Sequence, residues 1–205
     1  MMVKSTADHE FPNEPFDKYL TPSWPVARLL ERVALPGYRW IEPAAGEGTL
    51  VRAVRDIRPS TEFTTVEIRE GCDVDLCADF IWFGCPDIDP LMPPGGWDVC
   101  ITNPPFSLAL EFAEIALEKA QVVAFLLRAD WAGGSGRSRW HQKHPSDIYF
   151  LPERIDFTGE GGDQYNYAWF IWGPGRGHYH EWLAHTPERE RKGSEKRSQK
   201  VATAA

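Results

Sequence analysis

The run Val122-Val123-Ala124-Phe125-Leu126-Leu127 constrains the fold more tightly than any other segment. An unbroken apolar stretch of this length is short for a helix and lacks the alternation of a strand with one wet face. It reads as a central strand buried on both sides. The segments before it alternate between two periods. Arg39 to Glu42, Glu62 to Ile68 and Trp97 to Thr102 read as strands. Val26, Leu29, Leu30 and Val33 share one helical face, and Leu50, Val51, Val54 and Ile57 share another, opposite Arg52, Arg55 and Arg58. Strands alternating with helices predict an α/β fold, with a mostly parallel sheet covered by helices on both faces. After residue 127 the pattern changes. Asp147 to Leu151 and Tyr167 to Trp172 are two more strands with no helical period between them, so a hairpin-like end is expected.

Two of the strands run into unusual turns. Trp97 to Thr102 continues straight into Asn103-Pro104-Pro105-Phe106. The prolines fix φ and remove two N–H donors, which leaves backbone carbonyls pointing outward. Asn103 adds a side-chain acceptor and Phe106 an aromatic face. Such a turn can hold an amino group between two acceptors and stack on the ring that bears it; a plain strand end before a helix has the same sequence. The other turn, Glu42-Pro43-Ala44-Ala45-Gly46-Glu47-Gly48, joins a strand to a helix through two glycines that allow tight bending and close approach to a ligand. Val51 stands where a dinucleotide loop of the pattern GxGxxG has its third glycine, which argues against a pyrophosphate cradle.

EPAAGEG followed by NPPF resembles the S-adenosylmethionine (AdoMet)-dependent amino-methyltransferases, and among them small phage-type DNA adenine-N6 methyltransferases, over residues 17 to 175. The resemblance implies a Rossmann-like methyltransferase fold, a seven-stranded sheet with an antiparallel last strand. It implies that Glu42, Pro43, Ala44, Ala45, Gly46 and Gly48 line the methionine part of AdoMet. Asn103, Pro104, Pro105 and Phe106 would hold the target amine, with Asn103 also bordering the cofactor. Tyr19, Thr21 and Pro22 resemble the N-terminal cofactor-contacting segment, with Thr21 expected as a helix N-cap and Pro22 at the first helical position. Glu67, about 20 residues beyond Gly46, would accept the ribose hydroxyls, with Ile68 beside it. Asp79 would accept the cofactor's adenine amino group, and Phe80 or Ile81 would flank that ring; an exposed loop aspartate reads the same way.

The chemistry implied is direct. Adenine's amino lone pair is delocalised into its ring, so the amine attacks poorly until its geometry moves toward tetrahedral. Acceptance of its two hydrogens by the Asn103 side-chain carbonyl and the Pro104 backbone carbonyl favours that change. Phe106 would stack on the base once it has left the duplex. A sulfonium is already a good leaving group, so no metal and no covalent intermediate are required. Asn as the first motif residue fits adenine better than cytosine, where Ser is usual; the same turn also occurs in enzymes that methylate RNA adenine or protein glutamine. A module that binds AdoMet or nucleic acid without turnover is the remaining reading, opposed by the intact Asn103 and Phe106. The cofactor loop precedes NPPF, the order of one of the family's circularly permuted classes. No stretch is long enough for a separate target-recognition domain, so short or relaxed site specificity, or a homodimer, is expected. Host modification, as in restriction–modification, and protection of phage DNA are both open.

A formal charge of −8 sits awkwardly with a DNA substrate, since phosphate contacts supply most non-specific affinity. Distribution matters more. Arg128, Arg137, Arg139 and Lys143 interleave with Trp131 and Trp140 around a glycine-rich stretch, a pattern that suits a nucleic-acid backbone and a stacked base. Tryptophans packed locally beneath a solvated loop fit equally well. The 205 residues, 42% hydrophobic, suffice for a single domain, placed at 17–185 after an irregular segment 1–16. Residues 186–205 are expected to be a disordered basic tail, because their charges outnumber their apolar groups. No apolar run approaches the ~20 residues of a membrane span, and the N-terminus lacks a signal-peptide pattern. A cytoplasmic protein is expected. Cys72, Cys77, Cys85 and Cys100 have neither CxxC spacing nor attendant histidines, so reduced thiols and no metal site are expected.

Overall fold

Alternate residues of one strand enter two different cores. The computed structural model describes residues 20–82, 86–157, 163–177 and 179–204; Tyr19 and the segment 1–16 lie outside them. In β5 (Ala120–Arg128), Val122, Ala124 and Leu126 join one apolar cluster, while Val123, Phe125 and Leu127 join the other. The strand is therefore dry on both sides, as its unbroken apolar run requires. The same holds for β7 (Tyr167–Trp172), every residue of which is buried.

The helices α1 (Ser23–Arg32) and α2 (Thr49–Ile57) supply the first cluster through Trp24, Leu29, Leu50 and Val54. On the opposite face, α3 (Ala109–Lys119) supplies Phe112, Ala113 and Ala116, and Trp140 of α4 (Ser135–Lys143) packs at the margin. Ile57, expected on the apolar side of α2, is instead exposed at the helix's last turn.

The remaining strands are β1 (Arg39–Glu42), β2 (Glu62–Glu67), β3 (Leu76–Cys77), β4 (Trp97–Thr102), β6 (Asp147–Phe150) and β8 (His180–Trp182). Their order is β3-β2-β1-β4-β5-β7-β6-β8. β7 runs antiparallel to both β5 and β6, and the other pairs are parallel. The expected Rossmann-like methyltransferase architecture is thus present, with an eighth strand added beyond β6. β8 is held there by Asp147, whose carboxylate accepts the N–H groups of Gly177 (2.8 Å) and Tyr179 (3.2 Å) and pairs with Arg176.

Residues 186–205 were expected to lack structure, yet Glu188–Ala204 form a helix, α5. The correction has a tertiary cause. Ser194 and Ser198 are buried, Ser194 against the start of α1, and Glu190 makes a two-oxygen contact with Arg28. Pro22 occupies the N-cap of α1 and offers no side-chain acceptor. The Ser194 hydroxyl replaces it, accepting the N–H groups of Ser23 (2.7 Å) and Trp24 (3.2 Å). No helix among the described residues is long and apolar enough to cross a membrane.

Candidate active site

Strand order places the two unusual turns side by side. β1 lies between β2 and β4, parallel to both, so the chain leaves β1 in one direction and returns to β4 from the other. Such a reversal opens a crevice beyond the carboxyl ends of the two strands. With Ile41 paired to Cys100, the chain passes from β1 into EPAAGEG and from β4 into NPPF at the same edge.

The first turn is built for close approach. Gly46 and Gly48 have φ of +52° and +68°, in the left-handed region where a Cβ is strained. The Glu67 carboxylate, at the end of β2, ties the turn down: one oxygen accepts the Gly46 N–H at 2.7 Å. Its other oxygen accepts the Arg69 backbone N–H (3.1 Å) and Nε (3.0 Å). A Cβ on Gly46 would come 3.2 Å from Arg69 Nη2, so that guanidinium lies across the mouth of the loop. Ile68, next to Glu67, is an exposed apolar side chain at the same edge.

Glu42 is buried, and its Oε2 has no hydrogen-bond partner among the described residues. Burial, reinforced by the charge of Glu67, pushes its carboxyl well above the ordinary range; the Val51 N–H and Arg52 act weakly the other way. The Glu67 side chain is fixed by donors, and Glu42 favours its neutral form.

The second turn carries a buried acceptor. Asn103 Nδ2 donates to Thr21 Oγ1 at 3.2 Å, which fixes the amide's orientation. Asn103 Oδ1, on the other side of that amide, is buried with no partner among the described residues. Thr21 was expected to cap α1; its hydroxyl instead serves Asn103, and the cap comes from Ser194. Pro104 is buried, Pro105 is exposed and Phe106 is half-buried. Phe106 packs against Tyr167, ring centroids 5.7 Å apart.

A cationic and aromatic group that sequence reasoning did not assemble completes this edge. Arg128, at the end of β5, pairs with Tyr167 at the start of β7, and the ladder continues through Ala129 N–H to the Asn166 carbonyl (2.8 Å). That register carries Tyr165 beside Arg128. The guanidinium carbon lies 3.7 Å from the Tyr165 ring centroid and 5.0 Å from that of Phe106. The Tyr167 hydroxyl makes a short hydrogen bond to Asp163. Burial first, and this bond second, push the Tyr167 phenol above its ordinary range. The two-residue spacing of Tyr165 and Tyr167 was visible, but only the β5–β7 pairing brings them to NPPF.

Other expected site residues fall elsewhere. Phe80 is 2% exposed and packs on Phe112 with centroids 5.1 Å apart, so it belongs to the core; half-buried Ile81 is the neighbour left near the surface. Asp79 accepts the Ile81 N–H at 2.9 Å within its own turn. Trp131 is 3% exposed and packs on Phe170, Trp140 and Trp172, which corrects its assignment to a nucleic-acid surface. Trp140 is half-buried against Trp131 and Trp172, and Lys143 is exposed at the end of α4. The local packing weighed for the tryptophans is what the fold adopts, since burying such large rings outweighs display. Arg137 and Arg139 are exposed at the start of α4, where a loop was expected. Among the described residues no group of three or more His, Cys, Asp or Glu is placed to hold a metal ion.

No family model matches this chain, and no curated protein does. Solved structures do resemble it. The methyltransferase subunit of a type I restriction–modification system from Streptococcus thermophilus superposes with a TM-score of 0.59 at 15% identity, over 91% of this chain and 53% of that one. A Listeria monocytogenes protein assigned as a class I AdoMet-dependent methyltransferase gives 0.54 at 15% identity, over 87% and 69%. An Agrobacterium tumefaciens protein assigned as an O-methyltransferase gives 0.55 at 14% identity, over 85% and 97%. The chain spans about half the length of the first of these. The likeness is one of fold: this chain has the Rossmann-like architecture of class I methyltransferases.

Proposed function

We propose that this protein is an AdoMet-dependent methyltransferase that acts on the exocyclic 6-amino group of adenine in DNA. The single observation that carries this reading is Asn103 Oδ1, a buried acceptor without a partner among the described residues, held in orientation by Thr21 and set beside an aromatic ring. A buried acceptor left unpaired costs about 1–3 kcal/mol. A donor-bearing ligand such as an amino group offsets that cost.

The cofactor fits the neighbouring turn. Left-handed Gly46 and Gly48, the orphaned Glu42 Oε2 and the carboxylate of Glu67 form a polar cradle at the crevice. Glu42, Pro43, Ala44, Ala45, Gly46 and Gly48 would hold the methionine part, Glu67 the ribose, and Ile68 with Asp79 the adenine, with Thr21, Pro22 and Asn103 closing the near side. AdoMet supplies an electrophilic methyl group when bound. The protein's share is positioning: Asn103 Oδ1 and the Pro104 carbonyl accept the amine hydrogens, and Phe106 stacks on the base. Transfer at this geometry needs no strongly basic side chain, because the excess proton leaves after the new bond forms.

The test is incubation with labelled AdoMet and, in parallel, unmethylated DNA, RNA and cell-extract protein, followed by nucleoside and amino-acid analysis. Label on N6-methyladenine in DNA is expected. Label confined to RNA or protein overturns the substrate, and AdoMet binding with no label anywhere leaves a binding module.

A further inference from the structure

We infer that Arg128 is a resident stand-in for the substrate ring: its guanidinium holds the aromatic slot of Phe106 and Tyr165 and leaves it when a planar group enters. This deepens the preceding reading and rests on it for the identity of that group as a nucleobase. A guanidinium is flat, delocalised and weakly hydrated, so it stacks on ring faces much as a base does. Here one guanidinium touches two rings at once, 3.7 Å from the Tyr165 centroid and 5.0 Å from that of Phe106. Phe106 belongs to the turn that presents Asn103 Oδ1, so the slot and the orphaned acceptor serve the same ligand.

The way Arg128 is held separates it from a structural arginine. Arg176, which anchors β8, pairs with the buried Asp147 carboxylate. Arg128 forms no salt bridge among the described residues, and its Nε is buried there without a partner. The Tyr167 hydroxyl, which itself donates to Asp163, is a polar neighbour. Rings hold this side chain, and an entering ring can replace it. A displaced guanidinium at the mouth is then available to the phosphate beside an unstacked base.

The probe is 2-aminopurine riboside, with binding read from its fluorescence quenching. A ligand that must evict a desolvated cation–π contact loses about five- to thirty-fold in affinity. Arg128→Ala and Arg128→Met, the latter keeping an apolar stem, should therefore bind the probe tighter by about that factor, and Phe106→Ala should lose it. Unchanged or weaker binding in a folded Arg128 variant overturns the stand-in. Wild type provides a check that needs no variant: the Arg128 Nε–H resonance, displaced by two ring currents, should move to the ordinary arginine position on saturation. A resonance that stays put overturns the proposal as well. Tighter probe binding in the variants without methyl transfer to any substrate keeps the stand-in and removes the methyltransferase reading. Transfer to DNA with weaker probe binding does the reverse.

Discussion

In the reaction we propose, Asn103 concentrates the site's chemistry in one amide. Its nitrogen is committed to Thr21 while its oxygen is buried and unmatched, so Asn103→Ala removes an acceptor without disturbing the cofactor turn. We expect AdoMet affinity to stay within a small factor and transfer to fall by roughly 10²–10³-fold, the usual loss for one preorganised polar group. Wild-type turnover in that variant would refute the role. Glu42 makes a second prediction. Its folded-state pKa lies above the ordinary 4.5, so the native protein holds this proton more tightly than the unfolded chain does. The resulting stability is full below that ordinary value and is lost as pH rises toward the folded one. Glu42→Gln keeps the neutral shape and cannot ionise. Its melting temperature should gain on wild type steadily between acid and neutral pH, and a constant difference across that range would contradict the assignment. Cys100, fully buried in β4 with its thiol pushed up by burial, should resist alkylation until the protein unfolds, whereas exposed Cys77 should react in the native state.

At the scale of elements, α1 and α5 depend on each other. The Ser194 hydroxyl caps a helix that begins 171 residues earlier, and that helix follows directly from Thr21, the partner of Asn103. Ser194→Ala should cost about 1 kcal/mol, the common value of a lost N-cap, measured by urea denaturation. A chain ended before α5 should lose more, because Trp24, 1% exposed and pinned near the same cap, then borders solvent. Identical stability in the Ser194 variant would show that Pro22 alone ends the helix adequately. The helix α5 was illegible in its own residues, which are mostly charged. Its burial depends on serines whose value comes from a distant helix end.

For the whole molecule, a net charge of −8 has to be reconciled with the polyanionic substrate we propose. Exposed Arg137 and Arg139 sit at the start of α4, just beyond the Arg128 end of β5. If both meet phosphates, their double alanine variant should reduce the slope of log K against log salt by about 1.8, since each contact contributes about 0.9. An unchanged slope would place the DNA path elsewhere. Local patterns determined strands β1, β2 and β4 to β7 and helices α1 and α2, because burial on one or two faces dictates periodicity residue by residue. They also determined the two turns, since proline geometry and glycine's left-handed φ act within a few bonds. Only the tertiary structure decided that β1 and β4 are neighbours, that Tyr165 and Arg128 meet Phe106, that Trp131 turns inward, and that a charged C-terminal segment becomes a helix. Each of those outcomes is a contact between residues far apart in the chain, set by strand order and packing, which no single segment encodes.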